Sequence, residues 1–329
     1  MGAQVKNTTT LNEQITLLRH RGMAVDDRLA RQWLSNISYY RLSGYSYPYR
    51  VLQPTDDPKK PVREDRFVQG TSFAEVARLY EFDRKLRTLI HDAIERIEIA
   101  LRTRIGEWIV SHEPLAYQNS ALFRHDFDHV AWLDRAMGRV ERAKKSKSNV
   151  AIRHYSKNYN GYPFWVLAET LDFSDISILY GGLPVPVQHE ISTAFGFKVD
   201  AAALLAKHKR TYYREDPLAR WCEQLSIVRN VCAHHGRLFN RRFTPASTNV
   251  FRTISELSSL PRGQSERLYG ALLVIAFMLR SVSPGTTWTD KLITLIKSDY
   301  MPLSLRHVSE MGFPEDWETH LRMMMSAQE

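Results

Sequence analysis

The feature that most constrains the fold is a long series of apolar residues at helical spacing within 73–112. Ser72 followed by Glu75 is a capping-box pattern, which marks the beginning of a helix. The apolar residues that then keep the helical period are Val76, Leu79, Tyr80, Leu86, Ile90, Ile94, Ile97, Leu101, Ile105 and Trp108. The pattern predicts one helix from Phe73 to about His112, because Pro114 prevents it from continuing.

Shorter segments on both sides of this series also have helical periodicity. The predicted helices cover 11–22, 26–36, 133–155, 164–182, 217–235, 264–283 and 290–299. Residues 54–66 contain three prolines and mixed charges and are predicted to be a loop. The sequence shows no internal repeat and no series of alternating strands, so we expect an all-α helical bundle.

Composition limits the class of protein and its partners. A formal net charge of +9 over 329 residues favours an anionic partner, and nucleic acid is the commonest one. Cys222 and Cys232 lie on one predicted helix, about 15 Å apart along its axis and too far apart for a disulfide. We therefore expect a reducing, cytoplasmic setting. We expect no secretory signal, because residues 1–8 lack an apolar core. We also expect no contact with membrane, because the most apolar segment, 268–279, is shorter than a membrane span.

The predicted helix at 217–235 carries an arginine in an unusual place. Asp216 is a good N-cap, and Gly236 suits the left-handed residue just after the end of the helix. Arg229 falls near the middle of an apolar stripe formed by Leu218, Trp221, Cys222, Leu225, Val228 and Cys232. Because an unpaired buried charge is costly, Arg229 must meet an internal carboxylate or line a cleft that receives an anion.

Two carboxylates of the long helix are the obvious internal partners for Arg229. Asp83 and Glu98 fall on or beside its apolar stripe, and we take them as supporting residues. They are ordinary ion-pair partners by default, and a direct chemical role is the alternative.

His234 follows Arg229 by five residues, which is about 140° around an ideal helix. One small atom could be reached by both side chains only if the last turn deviates or if two copies of the helix share the site. An arginine and a histidine at one phosphodiester suffice to cleave RNA without a metal ion, since the ribose 2′-OH is the nucleophile. Asn230 could orient the histidine or bind the phosphate. The predicted catalytic residues are thus Arg229, Asn230 and His234, with His235 as a supporting residue.

Aromatic and basic residues occur together at three places that could contact RNA. The predicted RNA-binding residues are Tyr39, Tyr40, Arg41, Lys207, Lys209, Arg210, Arg237 and Arg241. For the tyrosines, packing as a rigid connector on the core is the open alternative. No His, Asp or Glu pair has a convincing metal-ligand spacing, so we expect no metal and no cofactor.

Several segments, in their order along the chain, resemble segments of the bacterial Abi family, the abortive-infection proteins of the AbiD/AbiF type. The matching segments are Tyr39–Gly44, Tyr80–Arg87, Ile94–Glu98, Trp165–Gly182 and Arg229–Arg241. The resemblance implies an HEPN-type helical domain, in which Arg-x4-6-His motifs of two domains form a composite ribonuclease site. It also implies a homodimer, because each chain has one such motif, and an RNA or protein antitoxin as a further partner.

On this basis we expect an N-terminal helical segment at 1–70, an HEPN-like core at 71–245 and a C-terminal extension at 246–329. The expected function is a metal-independent endoribonuclease of a phage-defence system, which cuts RNA and not DNA. The alternative is a non-catalytic RNA-binding or scaffold protein, in which Arg229 is an internal ion-pair partner and His234 a helix C-terminal cation. A metal-dependent hydrolase is the third and weakest alternative.

Overall fold

The computed structural model describes residues 7–54, 62–146 and 149–325, and over these residues the protein is mainly helical. The α-helices are α1 (Leu11–His20), α2 (Asp27–Asn36), α3 (Tyr39–Ser46), α4 (Phe73–Val110), α5 (His129–Lys145), α6 (Val150–Asn158), α7 (Phe164–Leu167), α8 (Phe173–Gly182), α9 (Val185–Ala194), α10 (Ala206–Tyr212), α11 (Pro217–Ala233), α12 (Leu268–Val282), α13 (Trp288–Leu295) and α14 (Trp317–Met323). The antiparallel strand pairs are β1 (Arg50–Leu52) with β2 (Arg63–Phe67) and β3 (Ala246–Ser247) with β4 (Gln264–Ser265).

Strand β2 corrects the prediction of a loop at 54–66, of which 55–61 lie outside the described residues. Its sequence is mostly charged and lacks the alternation of apolar and polar residues that reveals a strand. Ion pairs accompany the pairing with β1, since the carboxylate of Asp65 lies 2.8 Å from Arg50 and 3.1 Å from Arg21. Such contacts between distant residues cannot be read from a local pattern.

Helix α4 confirms the prediction from the apolar series, with 38 residues from Phe73 to Val110. The hydroxyl of Ser72 accepts a hydrogen bond from the Glu75 N–H at 3.2 Å, as expected for a cap. The Glu75 carboxylate accepts hydrogen bonds from the Ser304 hydroxyl and the Leu305 N–H, each at 3.2 Å. The N-terminus of this helix is therefore tied to a segment more than 200 residues later in the chain.

Two predicted helices are each divided into two. The segment 133–155 forms α5 and α6, and 164–182 forms α7 and α8. Asp172 causes the second break, because its side chain accepts hydrogen bonds from the Ser174 and Asp175 N–H groups and so begins α8 anew. Helix α8 ends at Gly182 as predicted.

The chain forms two compact units, and the first comprises Met1–Arg87 with Thr294–Glu310. In this unit the rings of Phe82 and Tyr300 pack at 4.8 Å, and the guanidinium of Arg306 lies over the ring of Tyr49 at 4.2 Å. The domain limits predicted at residues 70 and 245 stay a prediction.

The second unit comprises Thr88–Ile293 with Met311–Glu329. Every residue of α12 from Leu268 to Leu279 is buried, as expected for a core helix. Helix α11 packs against both α12 and α8. No helix in the described ranges combines the length and hydrophobicity that a bilayer crossing would need.

Candidate active site at the end of helix α11

Helix α11 begins and buries its apolar stripe as the sequence predicts. The Asp216 side chain caps it by accepting a hydrogen bond from the Leu218 N–H at 2.8 Å. The predicted stripe residues are all buried: Leu218, Trp221, Cys222, Leu225, Val228 and Cys232. Arg229 keeps 28% of its side chain exposed, so it lies at the border between the core and the solvent.

Arg229 meets an internal carboxylate, which is Glu98 of α4. Its Nη2 lies 3.7 Å from Glu98 Oε2, while Arg102 Nη2 lies 2.8 Å from Oε1. Burial raises the pKa of the Glu98 carboxyl, and the positive charges of Arg229 and Arg102 oppose this shift. Arg102 Nη1 also lies 3.8 Å from Glu169 Oε1, so Arg229 is the partly exposed member of a polar group of two arginines and two glutamates.

Asn230 extends this polar group to the surface. It is exposed, and its Oδ1 accepts a hydrogen bond from Arg229 Nη1 at 3.3 Å. The Arg229 guanidinium is therefore oriented by Glu98 on the inner side and by Asn230 on the outer side.

The C-terminus of α11 is a Schellman motif centred on the two histidines. The His235 N–H donates to the Cys232 carbonyl at 3.1 Å, and the Gly236 N–H donates to the Val231 carbonyl at 2.8 Å. The left-handed residue is His235, with φ 55°, and not Gly236 as predicted. A non-glycine residue in this conformation stores about 1 kcal/mol or more of strain, which is typical of functional sites.

The final turn remains helical up to His234, which is exposed. Its N–H donates to the Asn230 carbonyl at 3.0 Å, the spacing of an α-helix. Along such a helix the side chains of Arg229 and His234 leave in directions about 140° apart. The last turn therefore does not bring the two side chains together.

The other predicted partner of Arg229, Asp83, has a different role. It lies in the first unit, fully buried, where it forms an ion pair with Arg87 and accepts a hydrogen bond from the Tyr45 hydroxyl at 2.7 Å. The nearby Asp83 charge and burial both raise the pKa of Tyr45, with burial the larger cause. Asp83 belongs to a buried polar group of its own unit.

The predicted RNA-contacting tyrosines lie on α3 of the first unit and differ in exposure. Tyr40 is 88% exposed. Tyr39 is half-buried and accepts a hydrogen bond from Arg21 at 3.2 Å, and Arg41 donates to the Tyr80 hydroxyl at 3.3 Å. Of these two tyrosines, Tyr40 presents the largely open ring.

The predicted basic residues of the second unit are at the surface. Lys207 and Arg210 of α10 are exposed and Lys209 is half-buried. The guanidinium of Arg237 lies over the Phe239 ring at 5.9 Å. Arg241 folds back to the end of α11, where its Nη1 is 3.9 Å from the place that a Cβ of Gly236 would occupy. Arg241 thus adds positive charge beside His234 and His235.

Sequence reasoning did not single out Gln224 or Arg102. Gln224 of α11 is fully buried, and its Nε2 donates to the carbonyls of Thr244 at 2.7 Å and Ser265 at 2.8 Å. The sequence did indicate a special role for Gln224, because it is a polar residue on the apolar side of the helix, three positions after Trp221. Arg102 had no such signal, because its role depends on the packing of α4 beside α11.

Among the described residues, no three His, Cys, Asp or Glu side chains are arranged to hold a metal ion. Comparison with protein families gives a match to the family described as Abi-like protein over residues 32–240. No match was found among the curated proteins or among the solved structures. The family match contains α11, both histidines and the Glu98 partner.

Proposed function

Because the chain belongs to the Abi-like protein family, we propose that it acts in bacterial defence against phages, as an abortive-infection protein of the AbiD/AbiF type or as the toxin of a toxin-antitoxin pair. Its activity is that of a metal-independent endoribonuclease with an HEPN-type fold. It works in the cytoplasm and cuts RNA.

One observation carries this proposal: the end of α11 presents a partly exposed Arg229 and the exposed Asn230 and His234, with the Arg241 guanidinium close by. The partly exposed Arg229 is held by Glu98 at 3.7 Å, and the closer contact of that carboxylate is with Arg102 at 2.8 Å. A scissile phosphate bound at Arg229 would meet a charged group that is already oriented.

The chemistry requires no group beyond these side chains. A neutral imidazole, for which His234 is the candidate, removes the proton from the ribose 2′-OH as the oxygen forms a bond to phosphorus. Arg229 stabilises the negative charge on the phosphorane-like transition state. The bond to the 5′ oxygen then breaks and that oxygen takes up a proton, which leaves a 2′,3′-cyclic phosphate and a 5′-OH. DNA lacks the 2′-OH and is not a substrate.

The helical geometry supports a site shared between two copies of the chain. Since Arg229 and His234 point about 140° apart on one helix, two helices related by a two-fold axis could bring one chain's Arg229 to the other chain's His234. We therefore propose a homodimer with two equivalent sites. The exposed Lys207, Arg210 and Arg241 would hold the RNA backbone near them.

The Arg229–Glu98 contact also favours a second candidate, a non-catalytic protein that holds a structured RNA. In that case the ion pair is structural, and His234 is a cation placed favourably at the C-terminus of a helix. Both candidates predict RNA binding, but only the first predicts cleavage.

The deciding experiment is cleavage of end-labelled single-stranded RNA in excess EDTA, with the product ends mapped. Wild type is compared with His234→Ala and with the matched control His20→Ala, which removes an exposed histidine at the end of α1. The nuclease proposal expects cyclic phosphate ends from wild type and His20→Ala, and none from His234→Ala, while all three bind RNA.

Binding by all three proteins with no cleavage would favour the scaffold instead, once wild type has been freed of co-purified RNA. Cleavage that EDTA abolishes would contradict the metal-independent mechanism.

A further inference from the structure

A small cavity opens beside Arg102, between α4 and α7 of the second unit. Its volume is about 270 Å³, below the roughly 300–1,000 Å³ of sites for drug-sized ligands. Trp165 forms one wall and is 51% exposed, while Phe164, Gly106 and Val110 contribute further apolar surface. We call this cavity the Trp165 pocket. Its size and its open indole face fit one flat ring system.

Gly106 and Phe164 explain why the indole is at the rim. A Cβ on Gly106 would lie 3.3 Å from the Phe164 ring. Because glycine lacks this atom, Phe164 can pack closely on α4. The Phe164 N–H also donates to the Pro114 carbonyl at 2.9 Å, which fixes the beginning of α7. Because Phe164 points into the core, the next residue, Trp165, is turned outward.

The polar groups of the pocket select the chemistry of the ring. Glu107 and Glu169 line it and are exposed, and Glu169 Oε1 lies 3.8 Å from Nη1 of Arg102, so two carboxylates face one arginine in the lining. Carboxylates repel a phosphate group but accept hydrogen bonds from N–H donors. A neutral aromatic ring with N–H donors on its edge therefore fits better than an anion. Nucleobases with an amino group have this character, and guanine presents two adjacent donors on one edge.

The pocket is connected directly to the candidate active site. Arg102 lines it, and the Glu98 carboxylate that holds Arg102 Nη2 at 2.8 Å also contacts Arg229 at 3.7 Å. Only one carboxylate therefore separates the pocket from the guanidinium proposed to bind the scissile phosphate.

We propose that the Trp165 pocket binds one unpaired base of the RNA next to the scissile phosphate, and that it prefers bases with an amino group, guanine above all. This inference rests on the proposed ribonuclease function and adds sequence preference to it. Stacking on Trp165 supplies affinity, and Glu107 supplies the choice of base.

The test measures RNA binding in the His234→Ala background, so that no cleavage occurs. Fluorescence anisotropy is recorded with oligouridine and with the same strand carrying one central guanine. Trp165→Ala should weaken binding of the guanine strand about tenfold, and Trp165→Phe should retain most of the affinity. Glu107→Gln should reduce the preference for guanine over uracil. Val130→Ala, which shortens an exposed apolar side chain of α5, is the matched control and should bind like the parent.

The outcomes separate this inference from the function on which it rests. If Trp165→Ala binds as Val130→Ala does and Glu107→Gln keeps the preference for guanine, the pocket proposal is overturned while wild-type cleavage is unaffected. If wild type neither binds nor cuts RNA, both proposals are overturned. Should Trp165→Ala prove unfolded by circular dichroism, the guanine preference of Glu107→Gln still decides the question.

Discussion

Arg229 Nη2 of α11 lies 3.7 Å from Glu98 Oε2 of α4, although the two residues are 131 positions apart in the sequence. The contact is longer than the 2.8 Å pair between Glu98 and Arg102, so Glu98 is held mainly by Arg102 and orients Arg229 more loosely. Glu98 therefore orients the Arg229 guanidinium without holding it in a close ion pair, which suits a group that must bind a phosphate.

Glu98→Gln should lower both stability and activity. The buried carboxylate disappears while Arg102 and Arg229 remain, so the free energy of unfolding should fall by about 1–3 kcal/mol. RNA cleavage should fall as well, because Arg229 loses its inner partner. Denaturant unfolding and cleavage rates measure the two effects. Glu95→Gln, an exposed glutamate of the same helix, is the control, and equal behaviour of the two variants would contradict a positioning role for Glu98.

Mixing two inactive variants tests the shared site. If one chain's Arg229 works with the other chain's His234, each Arg229→Ala/His234→Ala mixed dimer contains one intact site and one doubly defective site. Random pairing makes half of the dimers mixed, so co-expression should restore about a quarter of the wild-type rate. A rate no higher than that of the separate variants, with mixed dimers demonstrated by differential tags, would show that the site lies within one chain.

His235→Gly should stabilise the protein by about 1 kcal/mol, because glycine adopts the left-handed conformation without strain. Chemical denaturation measures the change. Ala233→Gly is the opposing control, since this last helical residue should lose about 1 kcal/mol instead. If His235→Gly also reduces RNA cleavage, the histidine is retained for function at the expense of stability. A loss of stability on His235→Gly would refute the strain argument.

Asp216→Asn should change how stability depends on pH. Burial raises the pKa of the Asp216 carboxyl to about 7, against about 3.9 in an unfolded chain. Between these values the native state retains a proton that the unfolded state has released, so the wild-type free energy of unfolding falls as pH rises towards 7. Asparagine keeps the cap without the charge.

The Asp216→Asn variant should therefore match wild type near about pH 4 and exceed it by about 2–4 kcal/mol near about pH 8. Urea unfolding at both pH values measures the difference. Asp128→Asn, at the exposed N-cap of α5, is the matched control. A difference that does not grow with pH would show that Asp216 is ionised at little cost in the folded protein.

Local patterns predicted the elements on which the candidate site stands. Helices α4 and α11 carry their own caps and apolar stripes, so their bounds followed from short-range physics. The choice of Glu98 over Asp83 as the partner of Arg229 depends on how α4 and α11 pack, which periodicity does not encode. The same holds for β2, whose Asp65 forms an ion pair with Arg50 of β1.

The left-handed cap was predicted one residue too late, at Gly236, because glycine is the usual residue there. His235 adopts this conformation instead, and histidine tolerates it better than most residues do. A prediction based on the frequency of glycine at this position therefore chose Gly236 in place of His235. Gln224 was overlooked for a related reason, since its two carbonyl partners lie in segments that follow α11.

Both cysteines of the chain, Cys222 and Cys232, are buried on α11 in the thiol form. Burial raises the pKa of the Cys222 thiol and so suppresses the reactive thiolate. An alkylating reagent can modify these sulfurs only when α11 separates from its neighbours. The rate of thiol labelling therefore reports how often the helix that carries Arg229 and His234 opens, without any added probe, and the effect of RNA on that rate would show whether a bound ligand holds the helix closed.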